Sequence, residues 1–295
     1  MELRVLKYFL TTARAKNISH AAEELHITQP TLSRQLKDLE EELGVQLFVR
    51  GKRETSLTTE GKFLVNRAQE MLDLAEKTRQ EFRQEQNIGG SIYIGAGESP
   101  VIKDIGTVAK GLQERHPGIQ FHIFTGDIET VTERIEKGLL DFGIVLGDNN
   151  LSEYNTIKLP HANTWGVLLP KDSPLAVKEQ LVPQDLWDQP LLISRQSMMK
   201  NELGGWLQRP FENLNISGTY NLVRNAVYLA ESGLGLVLTF EGLVHLPEDS
   251  HLTFRRIVPQ HKAETFFFWK KHQVFSAASR LFLKEIMQWS EMGKD

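Results

Sequence analysis

Residues 26–36 read HITQPTLSRQL, with a proline close to the start of an otherwise helical pattern. Thr28 is a good N-cap type, because its hydroxyl can accept a hydrogen bond from an orphan backbone N–H one turn on. Pro30 then falls in the first turn, where its missing N–H costs nothing. A helix is therefore predicted from about Gln29. Leu32, Leu36, Leu39 and Leu43 follow at spacings of 4, 3 and 4, an apolar helical stripe. The other face shows Gln29, Thr31, Ser33, Arg34 and Lys37, donors and forked groups with no acid before Asp38.

The flanking residues give that helix a setting. Leu3, Leu6, Phe9, Leu10 and Ala13 make one helical stripe, Asn17 interrupts it, and Ser19 can cap a second short helix holding Ala21, Ala22 and Leu25. HIT reads as a tight turn, and Gly44 ends the helix that follows, as a glycine just past the last apolar position should. VQLFVRGKRETSLT (45–58) reads as two short extended pieces around Gly51. Two short helices joined by a tight turn form a helix-turn-helix. In such a motif the second helix enters the major groove of double-stranded DNA, led by its N-terminal residues. Gln29 suits adenine, Arg34 suits guanine, and the Thr31 methyl suits thymine. Arg50, Lys52 and Arg53 make a basic turn fit to neutralise phosphates beside the groove. A polar helix face alone could equally be solvated surface; the adjoining helix, cap, turn and basic hairpin favour the reading face.

Bulk charge does not announce this partner. The 295 residues carry 34 Lys and Arg against 38 Asp and Glu, a formal net charge of −4. Residues 1–62 hold ten basic and nine acidic side chains, a balance of +1, with the acids gathered at Glu40, Glu41 and Glu42. There is no cysteine, which excludes disulfides, cysteine-based zinc sites and thiol chemistry. The N-terminal residues have no apolar h-region, and no apolar run approaches the roughly 18 residues of a membrane span. The expectation is a cytoplasmic protein of two or three domains with no membrane contact.

From Thr59 to about Gln86 the only breaker is Gly61. Leu64, Ala68, Met71, Ala75, Thr78 and Phe82 step by 4, 3, 4, 3 and 4, a heptad seam. The helix would be roughly 40 Å long. Pairing with another chain and packing on its own chain both fit the seam, and the length favours pairing. NIGGS (87–91) reads as a hinge. Beyond it, SIYIGAG, IQFHIF, DFGIVLG, TWGVLLP, PLLIS, GLGLVL and TFFFWK are strand-like runs with helical patterns between several of them. This alternation predicts an α/β region with mostly parallel sheets. Its roughly 200 residues suggest two sub-domains.

Residues 21–61, AAEELHITQPTLSRQLKDLEEELGVQLFVRGKRETSLTTEG, resemble the winged helix-turn-helix of LysR-type transcriptional regulators. The positions that carry the resemblance are Ala21, Ala22, Leu25, Gln29, Pro30, Ser33, Leu39, Glu40, Leu43, Gly44, Leu47, Phe48, Arg50, Leu57, Thr58 and Gly61. The spacing at Gly51 and Lys52 departs from the family's usual wing. HPGIQFHI, GLLDFGIV and ESGLGLVL resemble stretches of the family's effector domain. The resemblance implies a DNA-binding domain over 1–58, with Thr58 joining the DNA-contacting residues, a dimerisation helix over 59–87 and an effector domain over 88–295. It further implies that the effector domain folds like a type 2 periplasmic binding protein, with sub-domain I at about 91–162 and 268–295 and sub-domain II at about 163–267. The working form would be a homodimer or a dimer of dimers, with RNA polymerase as a further partner.

Ligands in open α/β sheets bind beyond the carboxyl ends of strands. Three strand-to-helix turns qualify: Ser99 and Pro100 in the first, Gly126 and Asp127 in the second, Arg195 and Ser197 in the third, with Gly147 closing DFGIVLG. The backbone N–H groups near Ser99 suit a carboxylate, the family uses Ser or Thr at this position, and Arg195 could clamp an anion. A small anionic effector, with no cofactor or metal, is the expectation. Asp127 reads more readily as a helix cap, and for Ser99 cap and ligand contact stand equal. An enzyme fits less well. Gly97-Glu98-Ser99-Pro100-Val101 is not the G-x-S-x-G elbow. Gly233-Leu234-Gly235 does not continue as a dinucleotide fingerprint, and no P-loop or H-E-x-x-H occurs. A free-standing solute-binding protein would have no use for residues 1–86.

Overall fold

The computed structural model describes residues 1–50, 55–82, 89–147, 149–199 and 203–292. The chain divides into two compact units, Met1–Glu85 and Gln86–Asp295.

The first unit runs α1 (Leu3–Ala15), α2 (Ile18–Glu24), α3 (Gln29–Leu43), a hairpin of β1 (Phe48–Arg50) and β2 (Thr55–Leu57), and α4 (Thr59–Phe82). The two strands pair antiparallel with Phe48 opposite Leu57. Leu6, Phe9, Leu32, Leu36, Leu39 and Leu47 are buried in one core. Two details differ from the sequence reading. Asn17, not Ser19, caps α2: its extended backbone lets the side-chain oxygen accept from the His20 N–H at 3.1 Å. Leu43 leaves the stripe and is 39% exposed, because the helix ends there and Gly44 turns the chain with φ +68°.

The seam on α4 also needs correction. Leu64 and Ala68 are buried in the core that α1 and α3 share, and Met71 is half-buried against it. The first half of that seam therefore holds α4 to its own domain. Among the described side chains, the large apolar ones left exposed on the helix are Phe63, at 65%, and Leu74, at 43%; the Phe82 side chain lies outside them.

The second unit contains two sheets. In the first, the strand order is β4 (Ile119–Thr125), β3 (Gly90–Ala96), β5 (Phe142–Leu146), β14 (Thr265–Lys270), β6 (Tyr154–Lys158). Helices α5 (Ile102–Arg115), α6 (Ile128–Glu136) and α9 (Ala277–Met292) belong with it; Phe142, Phe267 and Phe282 lie in its core with no exposure. In the second, the order is β10 (Ile216–Tyr220), β9 (Leu191–Ser194), β11 (Leu236–Phe240), β7 (Asn163–Pro170), β12 (Leu252–Ile257), β8 (Gln180–Leu181), with β13 (Lys262–Ala263) also on β7. Helices α7 (Arg195–Met199) and α8 (Val223–Glu231) accompany it.

Each sheet is mostly parallel, with one strand reversed. β14 runs antiparallel to β5 and β6, and β7 runs antiparallel to β11, β12 and β13. These are the strands that follow the two passages between sheets, and they enter opposite to their neighbours. The first passage lies between β6 and β7, near the expected 162. The second lies at Glu264 rather than near 268, because Thr265–Phe268 pair with Leu146–Gly143 of the first sheet.

The two passages run side by side. Leu159 N–H donates to Thr265 O at 2.8 Å, and Trp165 N–H to His261 O at 3.0 Å. The Ser99 hydroxyl donates to Asn163 Oδ1 at 2.8 Å, and Asn163 Nδ2 donates to Thr265 Oγ1 at 2.9 Å. All three side chains are buried. A buried, satisfied polar chain of this kind ties the β3–α5 turn to both passages.

Candidate DNA-reading face and effector cleft

Thr28 caps α3 as its sequence suggests. Its extended backbone directs the hydroxyl to the Thr31 N–H at 3.4 Å and to the Thr31 hydroxyl at 2.8 Å. His26, with φ +54°, makes the turn before it. Gln29, Pro30, Thr31, Arg34 and Lys37 are exposed and Ser33 is half-buried, while Leu32 and Leu36 anchor the other side. The first turns of α3 thus stand on a fixed helix start. Arg34 lies 4.0 Å from Asp38 and Lys37 3.2 Å from Glu41, surface pairs one turn apart. Such exposed pairs hold their partners by well under about 1 kcal/mol, so both cations can turn to another anion.

Two residues named by the resemblance are structural here. The Thr58 hydroxyl donates to Gln46 O at 2.7 Å and accepts from the Gly61 N–H at 2.9 Å, which ties it to the start of α4. Glu40 accepts from the backbone N–H groups of Leu47, at 2.7 Å, and Phe48, at 3.1 Å, and so fixes the chain entering the hairpin. Of the expected wing, Arg50 lies in β1 opposite Thr55; Lys52 and Arg53 lie outside the described residues.

In the second unit a cavity of about 60 Å³ opens between the sheets, beyond the carboxyl ends of β3, β5, β9, β10 and β11. The residues expected there are mostly beside it. Ser197 lines it. Ser99 does not: its one proton goes to Asn163 and its oxygen takes the Val101 N–H, so it belongs to the buried chain at the two passages. Gly97 and Glu98 line the cavity instead of Ser99 and Pro100, and Leu146 instead of Gly147. Gly147, with φ +73°, turns away and donates to Glu264 O. Gly126 donates to Ala96 O, and Asp127 caps α6 through the Thr130 N–H at 2.9 Å. Arg195 is exposed and outside the lining, flanked by Ser194 and Gln196, which line it. The expected anion clamp is therefore not assembled around this cavity.

The lining that sequence reasoning missed comes from the second sheet. Trp165 and Phe240 sit opposite each other, at the start of β7 and the end of β11, with ring centroids 4.1 Å apart. Tyr220 and Asn221 form a fourth strand-to-helix turn, whose signal in the sequence is TYNLVRNAV. The Tyr220 hydroxyl donates to Leu238 O at 2.6 Å, and burial raises its pKa above the usual tyrosine value. The Glu98 carboxylate reaches from the first sheet to the second and accepts the Val223 N–H at the start of α8 at 2.6 Å.

This architecture matches known families along nearly its whole length. Residues 3–62 match the bacterial regulatory helix-turn-helix protein of the lysR family, and residues 85–291 match the LysR substrate binding domain. The chain belongs to the LysR family of transcriptional regulators. It is 28% identical over 279 residues to the Hca operon transcriptional activator HcaR of Escherichia coli, covering 93% of each chain. A second relative, the regulator BsdA of Bacillus subtilis, is 36% identical over 146 residues, 49% of this chain and 50% of that one. Among solved structures, full-length CbnR complexed with its target DNA shares the fold with a TM-score of 0.80 at 19% identity, over 99% of this chain and 100% of that one.

As a LysR-family member the chain is a DNA-binding transcriptional regulator with an effector-binding domain, and the family is one of regulators, not enzymes. No helix among the described residues is long and apolar enough to cross a membrane. Within its effector domain, Asp127 offers a direct check on the reading of a cap. Hydrogen bonds from Thr130, and then the nearby Arg195 charge, hold its carboxyl below the usual range. A depressed pKa stabilises the fold above the ordinary carboxylate range, and that stabilisation is lost as pH falls through the folded-state value. Asp127→Ala should cost about 1 kcal/mol at neutral pH, and the gap from the parent should close in acid. Thermal melts across pH would show this; a gap that persists in acid would contradict it.

Proposed function

We propose that α3 reads base edges in the major groove through Gln29, Thr31, Ser33 and Arg34, and that Lys37 with the Arg50–Arg53 turn holds phosphates. The observation that carries this reading is the exposed polar first turns of α3, set by the Thr28 cap and Pro30 on a buried Leu32–Leu36 anchor. Two copies of the chain read two half-sites, joined through the outward face of α4. Among the described side chains, Phe63 and Leu74 are the large exposed apolar ones on that face, and the Arg67 guanidinium lies 5.6 Å from the Phe63 ring centre. An effector in the cleft of the second unit shifts DNA binding through its different affinity for two arrangements of the protein. The protein works in the cytoplasm, where its DNA lies, and contact with RNA polymerase rests on the family likeness alone.

The test is binding to the DNA upstream of the protein's own gene at graded salt. With roughly six to ten phosphate contacts, affinity should fall about 10³–10⁵-fold between 50 and 200 mM salt. Affinity indifferent to salt would contradict the reading. Leu74→Glu should weaken self-association by sedimentation and lower operator affinity with it, because two linked readers become separate ones. A fully associated variant would place the interface elsewhere.

A further inference from the structure

We propose that the hydrogen bond between Glu98 and the Val223 N–H is a latch. It holds the two sheets of the effector domain together across the cavity, and its release turns ligand binding into a change of arrangement. The proposal rests on the cavity being the effector site and names the contact through which that site acts.

Three observations carry it. The bond runs between sheets, not within one. Glu98 follows β3 of the first sheet, Val223 opens α8 beside the second, 125 residues on, and the carboxylate accepts the N–H at 2.6 Å. Next, α8 depends on it. The first N–H groups of a helix have no partner inside the helix, and the residue before α8 is Leu222, which offers no side-chain cap. Val223 is buried, so water does not readily take the place of Glu98. A helix N-terminus favours a carboxylate, and this one reaches α8 only while the two sheets stay close. Finally, the bond stands where a ligand meets it. Glu98 lines the cavity with Tyr220 and Asn221, the residues that lead into α8. A ligand group that competes for either partner works directly against the link between the sheets.

The turn that carries Glu98 is anchored on its other side. Ser99, the next residue, donates to Asn163 at the first passage at 2.8 Å. Loss of the Glu98 bond therefore leaves the passages joined and frees the opposite side of the cleft. Two further contacts cross between the sheets. Leu146 of the first packs on the core of the second, and the Arg195 charge acts on Asp127, both of them exposed. An apolar contact and an attraction between exposed charges tolerate sliding. A hydrogen bond is lost once its length and angle leave a narrow range, so the latch is either made or broken.

The test is hydrogen exchange, read by mass spectrometry, on the full chain as parent, Glu98→Gln and Glu98→Ala. Glu98→Ala should speed exchange at least about tenfold at the start of α8 and also over residues 194–197. That second stretch lines the cavity from the end of β9 through Ser194, Gln196 and Ser197. The buried strand segments Ile92–Ile94 and Val237–Leu238 should exchange as in the parent. Glu98→Gln should fall between, because its carbonyl still accepts but without the charge. Faster exchange confined to the start of α8 would make Glu98 a helix cap only and overturn the latch. Faster exchange in the strand segments as well would make the bond a support of the fold, and no change anywhere would make it idle; either overturns the proposal. Operator affinity separates the latch from the effector reading. Without added effector, Glu98→Ala should differ from the parent by about 5- to 150-fold, the span of a typical coupling between sites. The latch pattern of exchange with parent-like operator affinity would keep the latch and overturn the reading that this cleft governs DNA binding.

Discussion

Gly61→Ala should destabilise the DNA-binding unit by about 1–3 kcal/mol, the range for forcing an extra methyl into a packed site. A Cβ on Gly61 would stand 2.2 Å from the Leu47 carbonyl oxygen, a backbone atom that already accepts the Thr58 N–H at 3.0 Å. Neither partner can swing aside, so the start of α4 must shift from the hairpin. Leu64 and Ala68 follow within two turns and pack the same core, so the shift reaches the support of α3. Gly44→Ala is the control: Gly44 has φ +68° and nothing within 4 Å of an added Cβ, so only backbone strain of about 1 kcal/mol is expected there. Denaturant unfolding compares the two. Equal costs would mean that the close approach at Gly61 relaxes freely.

Asn163→Ala should cost the effector domain about 2–4 kcal/mol, because the Ser99 and Thr265 hydroxyls both lose a buried partner. Asn163 is 5% exposed, Ser99 3% and Thr265 0%, so water does not readily replace it. Hydrogen exchange should quicken at Leu159 and Trp165, whose N–H groups bridge the two passages. Ser99→Ala removes one link of the same chain and should cost less. An Asn163→Ala variant as stable as the parent would show that the buried chain does not hold the two passages together.

The N-terminal unit was legible because its information is local. Thr28, Pro30 and Gly44 set the bounds of α3 by their own backbone chemistry, and the spacing of Leu32, Leu36 and Leu39 fixed its buried side. The seam on α4 misled because a heptad pattern states that a stripe is apolar, not what covers it; Leu64 and Ala68 are covered by their own domain. The strands of the second unit are visible as apolar runs, but TYNLVRNAV, the edge strand β6 and the strand β12 alternate weakly and give no clear signal. The cleft was the least legible. Ser99 looked like a ligand contact, and whether its hydroxyl faces a cavity or Asn163 depends on a partner 64 residues away. Trp165 carries no local signal, since its place beside Phe240 comes from sheet register alone.

The central claim is that α3 reads DNA sequence through its first turns. It is tested most directly by measuring the affinity of the full chain for its operator and for a scrambled duplex, at one salt concentration, for the parent, Gln29→Ala and Arg34→Ala. Each substitution should cost about 1–3 kcal/mol on the operator and little on the scrambled duplex. Equal losses on both duplexes would show that these side chains touch only phosphate, and unchanged operator affinity would show that α3 is not the reading helix.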